Sequence, residues 1–445
     1  MNSCCVSRVA ILLVLVSGAA LAQTAGPESL TLRKAAELAL ERAPELAAAR
    51  AASEVGRSSA NLARDVFHPN AWITTTPGYT HGLPGVVAGR VPSVIGVEVR
   101  QLIYDKDRKA DALSAEAEAS SIDAELGQAC RATLERVVTV YARAFMDEGV
   151  IAAAQRRLDA AEAIARREAA LLAEGRVTEL DAERSRLQAA RARQKVLNAE
   201  SDRDLDMLEL KRLIGWPGSS PLRLAGDPDA ILPELTATEN LAAAKAADPV
   251  LTSLTREIQL LGQSARIESK RWMPILEASA TYQRLGKFNN YDQYYLTFTP
   301  DSVAIGVSIL FPLWTGGRFE DGRDRARARL ERAEAQLQSR ENEVELAVRR
   351  AESMVARSLA EKSLSLRSQG LASQDRDALE QLAREGRSEL SDVDEREMAL
   401  ADADTEAAQS NLSSLLERVR LLSLRGELAT ALLGAEPPCA VALTK

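Results

Sequence analysis

Residues 105–172 contain no proline and consist mostly of Ala, Glu, Arg and Leu, all strong helix formers. Leu113, Ala117, Ser120, Ala124, Gly127, Leu134, Val138, Tyr141 and Phe145 recur at steps of four and three, with Arg131 in the one missing slot. A 3.5-residue period is the seam of a supercoiled helix, not the face of an ordinary globular one. At 1.5 Å per residue such a rod spans on the order of 100 Å. No compact domain needs a helix of that length, so the fold must be one that uses a rod.

The chain is written twice, and the prolines show it. None occurs between Pro92 and Pro217, and none between Pro312 and Pro437, two gaps of 125 residues. Pro44 and Pro249 differ by 205, as do Pro69 and Pro274. Gly96 and Gly306 differ by 210, as do Tyr104 and Trp314, and Arg108 and Arg318. Gly175 and Gly386 differ by 211, as do Asp181 and Asp392. A small insertion in the second copy explains the drift. Each copy predicts a helix (31–66, 237–272), a strand pair (71–79 with 93–104, 275–284 with 302–314), the long helix (105–172, 317–384), a glycine-containing turn (174–181, 385–392) and a returning helix (181–213, 392–432). The chain thus divides into a leader at 1–22, a first repeat at 23–214, a four-proline linker at 215–239, a second repeat at 240–433 and a tail at 434–445.

The strands alternate. Val303, Ile305, Val307, Ile309 and Phe311 fall on one face, and Ser302, Ala304, Gly306 and Ser308 on the other. Leu276, Ala278, Ala280 and Tyr282 alternate with Glu277, Ser279, Thr281 and Gln283, while Ile95, Val97 and Val99 oppose Glu98 and Arg100. One lipid-suited and one water-suited face, at about 10 residues per strand, is the pattern of an outer-membrane barrel. Glu98, Arg100 and Glu277 then face the lumen. Twelve of the 17 aromatic residues lie within 67–104 or 282–314, with Tyr104 and Trp314 at matching strand ends where an interfacial girdle would sit. Residues 285–300 read as an exposed hairpin loop. The competing reading is a soluble half-buried sheet, because any sheet with one wet face alternates in this way. Four strands cannot close a barrel, so closure requires several chains.

The leader has Arg8, an apolar run over 9–16 and Ala20-Leu21-Ala22, the pattern of a secretory signal cut after Ala22. Its apolar run is too short to span a bilayer. Without it the chain carries 55 basic and 64 acidic side chains, a net charge of −9 that argues against nucleic acid as a partner. No later stretch has 18 consecutive apolar residues, so a membrane form would have to be a barrel. Cys130 and Cys439 remain after cleavage; two cysteines make no disulfide framework, and their pairing stays open.

A signal peptide, two copies of helix–strand–strand–long helix–turn–helix, and Phe311-Pro312-Leu313-Trp314-Thr315-Gly316-Gly317-Arg318 at a strand-to-helix junction together resemble the TolC-like outer-membrane efflux family. The opening Thr31-Leu32-Arg33-Lys34-Ala35-Ala36-Glu37-Leu38-Ala39-Leu40, followed by Ala43-Pro44-Glu45-Leu46, is similar to that family's N-terminus. The resemblance covers nearly all of the mature chain. It implies a mainly helical fold with a small membrane β-barrel. The expected homotrimer has a 12-stranded barrel in the outer membrane above a 12-helix tunnel in the periplasm. It further implies an exit duct without bond chemistry or cofactor, serving an inner-membrane pump through a periplasmic adaptor in efflux or type I secretion.

In the family the periplasmic tips touch the adaptor and constrict the pore. Gly175, Val177 and Thr178 match the first tip, and Gly386, Ser388 and Leu390 the second. Asp392 and Glu395, six and nine residues past the second glycine, match pore-facing carboxylates, which three chains would turn into two anionic rings. Asp181 matches a carboxylate that ties the first tip to its neighbour, with Arg176 and Arg387 as candidate partners. Like charges ringed in a narrow opening favour cations. The plainer reading of Asp181 and Asp392 is helix capping.

Nothing else in the chain reads as chemistry. His68 and His81 are the only histidines, and no nearby cysteine joins them in a zinc site. Gly316-Gly317 lacks the lysine and spacing of a phosphate loop. The basic run over 323–332 reads as a solvated helix face or, second, a periplasmic contact surface. Two rival functions remain: a periplasmic helical-hairpin adaptor or scaffold without a pore, and a passive porin, for which the strand content is too low.

Overall fold

Two rods of nearly equal length dominate the computed structural model, which describes residues 28–76, 93–233, 240–285, 299, 301–313 and 316–434. The first rod, α3, runs Lys106–Ala173, and its matching rod, α7, runs Arg318–Arg384. Asp105 caps α3 by accepting hydrogen bonds from the backbone N–H groups of Asp107 and Arg108. Of the seam residues, Ala117, Ala124, Leu134, Val138 and Tyr141 are buried and the rest half-buried.

The helix expected over 31–66 is two helices, α1 (Leu32–Arg42) and α2 (Pro44–Asp65). The one expected over 237–272 is likewise broken into α5 (Asn240–Ala247) and α6 (Pro249–Glu268). The same residue type breaks both. Pro44 and Pro249 stand at the first helical position, where proline fits because its missing N–H had no partner to lose. Asp248 caps α6, accepting from the N–H groups of Val250 and Leu251 at 2.9 Å each. The returning helices are α4 (Glu179–Leu213) and α8 (Leu390–Leu424). The expected continuation of α8 to residue 432 fails at Gly426, which sits at φ 74° and ends the helix as Gly215 ends α4 at φ 64°. A further short helix, α9 (Leu428–Leu433), follows.

The strands are β2 (Asn70–Thr76), β3 (Ser93–Tyr104), β5 (Ile275–Leu285) and β6 (Asp301–Leu310), in one antiparallel sheet of order β2-β3-β5-β6. Strand β6 stops four residues short of its expected end, and Trp314 and nearly all of the expected loop lie outside the described residues. Two strands escaped sequence reading. Strand β1 (Glu28–Leu30) pairs in parallel with β4 (Leu222–Leu224), so the linker folds back onto the start of the chain.

The helices pack side by side in one layer. Near the sheet the neighbours run α2-α3-α6-α7, and towards the far end α4-α3-α8-α7. The largest apolar core lies where the layers change over. It joins α1, the middle of α3, the ends of α4 and α8, α9 and the β1–β4 pair. Tyr141 is fully buried there, its hydroxyl within hydrogen-bond reach of the carbonyls of Leu30 at 3.0 Å and Ala225 at 2.8 Å. Burial pushes its phenol pKa up, with the Ala225 bond pulling the other way. Cys130 is buried in the same core and disulfide-bonded, while Cys439 lies outside the described residues.

Candidate functional site

The register of the sheet decides which side chains share a face. Across β5 and β6, Leu276 pairs with Ile309, Ala278 with Val307, Ala280 with Ile305 and Tyr282 with Val303. Val97 and Val99 of β3 join this face opposite Tyr282 and Ala280, and Ile73 and Ala71 of β2 extend it. Pairs on the other face are Glu277 with Ser308, Arg100 with Ser279, and Glu98 with Thr281 on one side and Trp72 on the other. Glu98, Arg100 and Glu277 therefore stand on one face, where Arg100 donates to Glu98. The middle of the opposite face is apolar across all four strands, with Gln101 towards one end and the Arg284–Asp301 ion pair at the other, and Ile305 is 82% exposed.

At the far end of the rods the two turns have one geometry. Gly175 and Gly386 take φ 71° and 70°, a left-handed conformation that costs glycine little. Gly175 N–H donates to Leu172 O at 2.9 Å and Arg176 N–H to Leu171 O at 2.9 Å; Gly386 and Arg387 repeat this with Ala383 and Leu382 at 3.1 and 2.8 Å. Both helices thus close with the paired bonds of a Schellman cap.

Past the first glycine, Thr178 caps α4. Its hydroxyl accepts from Asp181 N–H at 3.2 Å and donates to Asp181 Oδ2 at 2.6 Å. These bonds, with the adjacent Arg184 guanidinium, hold the Asp181 carboxyl below the usual range. Within the chain Asp181 serves its own helix. Arg176 pairs with Glu174 at 3.3 Å and Arg387 with Glu385 at 3.2 Å, so neither contacts Asp181. At the second tip Ser388 donates to Asp392 at 3.1 Å. Glu395, one turn on, is exposed and has no partner among the described residues. Leu180 and Leu390 are 60% and 64% exposed, while Val177 and Ser388 are half-buried.

The ion pairs that join the two hairpins were missed in the sequence. Arg167 of α3 donates to Asp394 of α8 at 2.6 Å. Higher up, Asp402 takes Arg157 of α3 and Lys195 of α4, and Asp404 takes Arg156 of α3 and Gln369 of α7. The signal was present: as the α3 number falls from 167 to 156, the α8 number rises from 394 to 404, the mark of antiparallel helices. Above these clamps a cavity of about 610 Å³ is lined by Arg143, Asp147, Asp202 and Asp206. Burial, reinforced by Asp206 and Asp202, raises the Asp147 pKa to about 6. Among the described residues no group of His, Cys, Asp and Glu could hold a metal ion, and no helix is long and apolar enough to cross a membrane.

Comparison with known proteins agrees with this architecture. Residues 35–216 match the model of the outer membrane efflux protein family. None of the curated protein sequences matches. The fold is similar to that of the outer membrane protein VceC of Vibrio cholerae, with TM-score 0.68 and 17% identity over 89% of this chain and 96% of that one. It is similar to the CmeC outer membrane channel of Campylobacter jejuni, with TM-score 0.70 and 14% identity over 89% and 85%. It is also similar to the open MtrE outer membrane channel of Neisseria gonorrhoeae, with TM-score 0.70 and 16% identity over 89% of each chain. Residues 35–216 thus match the outer membrane efflux protein family in sequence, and both repeats together share the fold of these outer membrane proteins.

Proposed function

We propose that the chain forms a homotrimeric exit duct, and the observation that carries this reading is its pair of unfinished edges. Among the described residues strand β2 ends one side of the sheet and β6 the other, each with a row of backbone groups that no further strand pairs. The helical layer ends on the same two sides, in α2 and α4 on one and α7 on the other. Those edges carry exposed apolar side chains: Val55 and Leu62 on α2, Leu187, Leu197 and Leu205 on α4, and Leu346, Leu359 and Leu371 on α7. A copy whose β2, α2 and α4 meet the β6 and α7 of the next covers all of these at once, and such a head-to-tail interface closes into a ring. The family resemblance supplies the number three, giving twelve strands and twelve helices.

In that ring the apolar sheet face meets outer-membrane lipid, and Glu98, Arg100 and Glu277 line the lumen. The rods form a periplasmic tunnel, and residues 23–214 and 240–433 act as its two copied units. Asp392 and Glu395 ring the narrow end, where Asp181 with Arg176 and Arg387 of the next copy restrain the aperture. Gly175, Val177, Thr178, Gly386, Ser388 and Leu390 meet a periplasmic adaptor, which links the duct to an inner-membrane pump. A poreless adaptor would have no use for a four-strand apolar face. Heat-sensitive trimers in the outer-membrane fraction support the duct; a soluble periplasmic monomer refutes it.

A further inference from the structure

The corner where α6 ends, β5 begins and α7 starts carries an aromatic and cationic cluster that the duct does not use. Arg271 stacks its guanidinium 5.9 Å from the ring centre of Trp272 and 5.7 Å from that of Phe319, and Lys106 lies 5.1 Å from Phe319. Lys106 is committed, with Asp107 at 3.4 Å and Glu268 at 3.5 Å. Lys270, Arg271, Arg318 and Arg325 engage no carboxylate among the described residues and all are exposed. Beside them Trp272, Phe311 and Leu313 are 61%, 58% and 79% exposed.

The height of this corner is fixed by the strands. Trp272 lies three residues before the start of β5, and Phe311 and Leu313 lie one and three residues after the end of β6. Three residues reach at most about 10 Å, comparable to the depth of one headgroup layer, which is about 5–8 Å. The exposed rings therefore adjoin the apolar band of the sheet and the free cations sit just beyond it. The cleft behind them, of about 490 Å³, also has Asp105, Asp111 and Asp321 in its walls, so its interior is no anion pocket; its rim is the docking surface. Among the described residues only the second repeat has this rim. The positions 205 residues earlier are Asp65, Val66 and Phe67, and Asp65 is 3.0 Å from His68 Nδ1.

We propose that this rim docks the phosphate headgroup of an anionic phospholipid in the periplasm-facing leaflet, one per chain, with its acyl chains against Trp272, Phe311 and Leu313. The proposal rests on the membrane-spanning reading above. Its test is native mass spectrometry of the full mature protein in neutral detergent. Dioleoylphosphatidylglycerol or dioleoylphosphatidylcholine is added at equal concentration. One phosphatidylglycerol is retained per chain, preferred by about tenfold or more over phosphatidylcholine. Lys270→Gln with Arg271→Gln raises the phosphatidylglycerol concentration for half occupancy about 30-fold, roughly fivefold per lost charge. Arg349→Gln, on an exposed cation in the middle of α7, leaves it unchanged. Equal retention of the two lipids overturns the proposal, as does wild-type retention by the double variant or displacement by millimolar inorganic phosphate. If the double variant does not fold, the wild-type preference alone decides. The mass of the protein in the same spectra counts the chains, so a failed ring and a failed lipid site give different results.

Discussion

Replacing Ile305 with arginine places a charge at the centre of the sheet's apolar face. Ile305 sits midway along β6, opposite Ala280, and is 82% exposed in the single chain. A lipid-facing arginine at the membrane midplane costs roughly 2–4 kcal/mol per chain, which is roughly 6–12 kcal/mol for a trimer. Ala304, its neighbour, pairs with Thr281 on the polar face, where the same substitution exposes its charge to water and costs at most about 1 kcal/mol. The pair thus differs by one step along the strand and by most of the stability of a typical domain. The assay is urea unfolding of the protein in phosphatidylcholine vesicles, followed by the disappearance of the heat-sensitive oligomer. Ile305→Arg is expected to abolish or strongly weaken the oligomer while Ala304→Arg keeps it. Equal stability of the two variants would refute the assignment of the faces, and with it the barrel.

Three further outcomes follow from the helical end. Asp392→Asn with Glu395→Gln should raise single-channel conductance or weaken block by divalent cations, because the ringed charges that hold cations in the aperture are gone; unchanged currents would remove the ring. Asp394→Asn should loosen the hairpin ends by about 1–3 kcal/mol, read as roughly 10- to 100-fold faster amide exchange over residues 385–400 with the strands unaffected. Asp147 has its folded pKa raised to about 6 from the ordinary 3.8 of an aspartate, so the folded state binds more protons and loses stability as pH rises between those values. Asp147→Asn should therefore stabilise the protein at pH 7.5, by about 1 kcal/mol once solvent screening of this partly exposed group is allowed for, and the gain should vanish towards pH 4.

The long elements were legible because their signals repeat. The expected rods over 105–172 and 317–384 lie within one residue of α3 and α7, since a proline-free run sets its own limits. Strand alternation gave the correct partition of Glu98, Arg100 and Glu277, because parity survives any small error in strand ends. Short-range punctuation was harder. Pro44 and Pro249 served as markers of the repeat, yet each also starts a new helix, and the hydrophobic pattern runs on across the break. Gly426 was passed over because Leu428, Ala429 and Leu432 continue an apolar helical spacing beyond it; the matching Gly215 at the same 211-residue offset held the clue. Strands β1 and β4, at three residues each, are too short to show any period. The clamps between the hairpins leave a signal in the numbering, α3 falling as α8 rises, but it takes on meaning only once α3 and α8 are known to run antiparallel. For Asp181 the structure shows capping within the chain, and a role across the aperture depends on a neighbouring copy.

A closed ring requires the two edges of neighbouring chains to meet. A cysteine placed at Ile73 on β2 and another at Ile309 on β6, in a chain otherwise handled alike, would sit on opposite free edges of the sheet. Crosslinking in intact outer membranes with a short bifunctional maleimide should give dimers and then a closed three-chain species that does not extend further. Links formed only within one chain, or a ladder running past three, would contradict the closed ring.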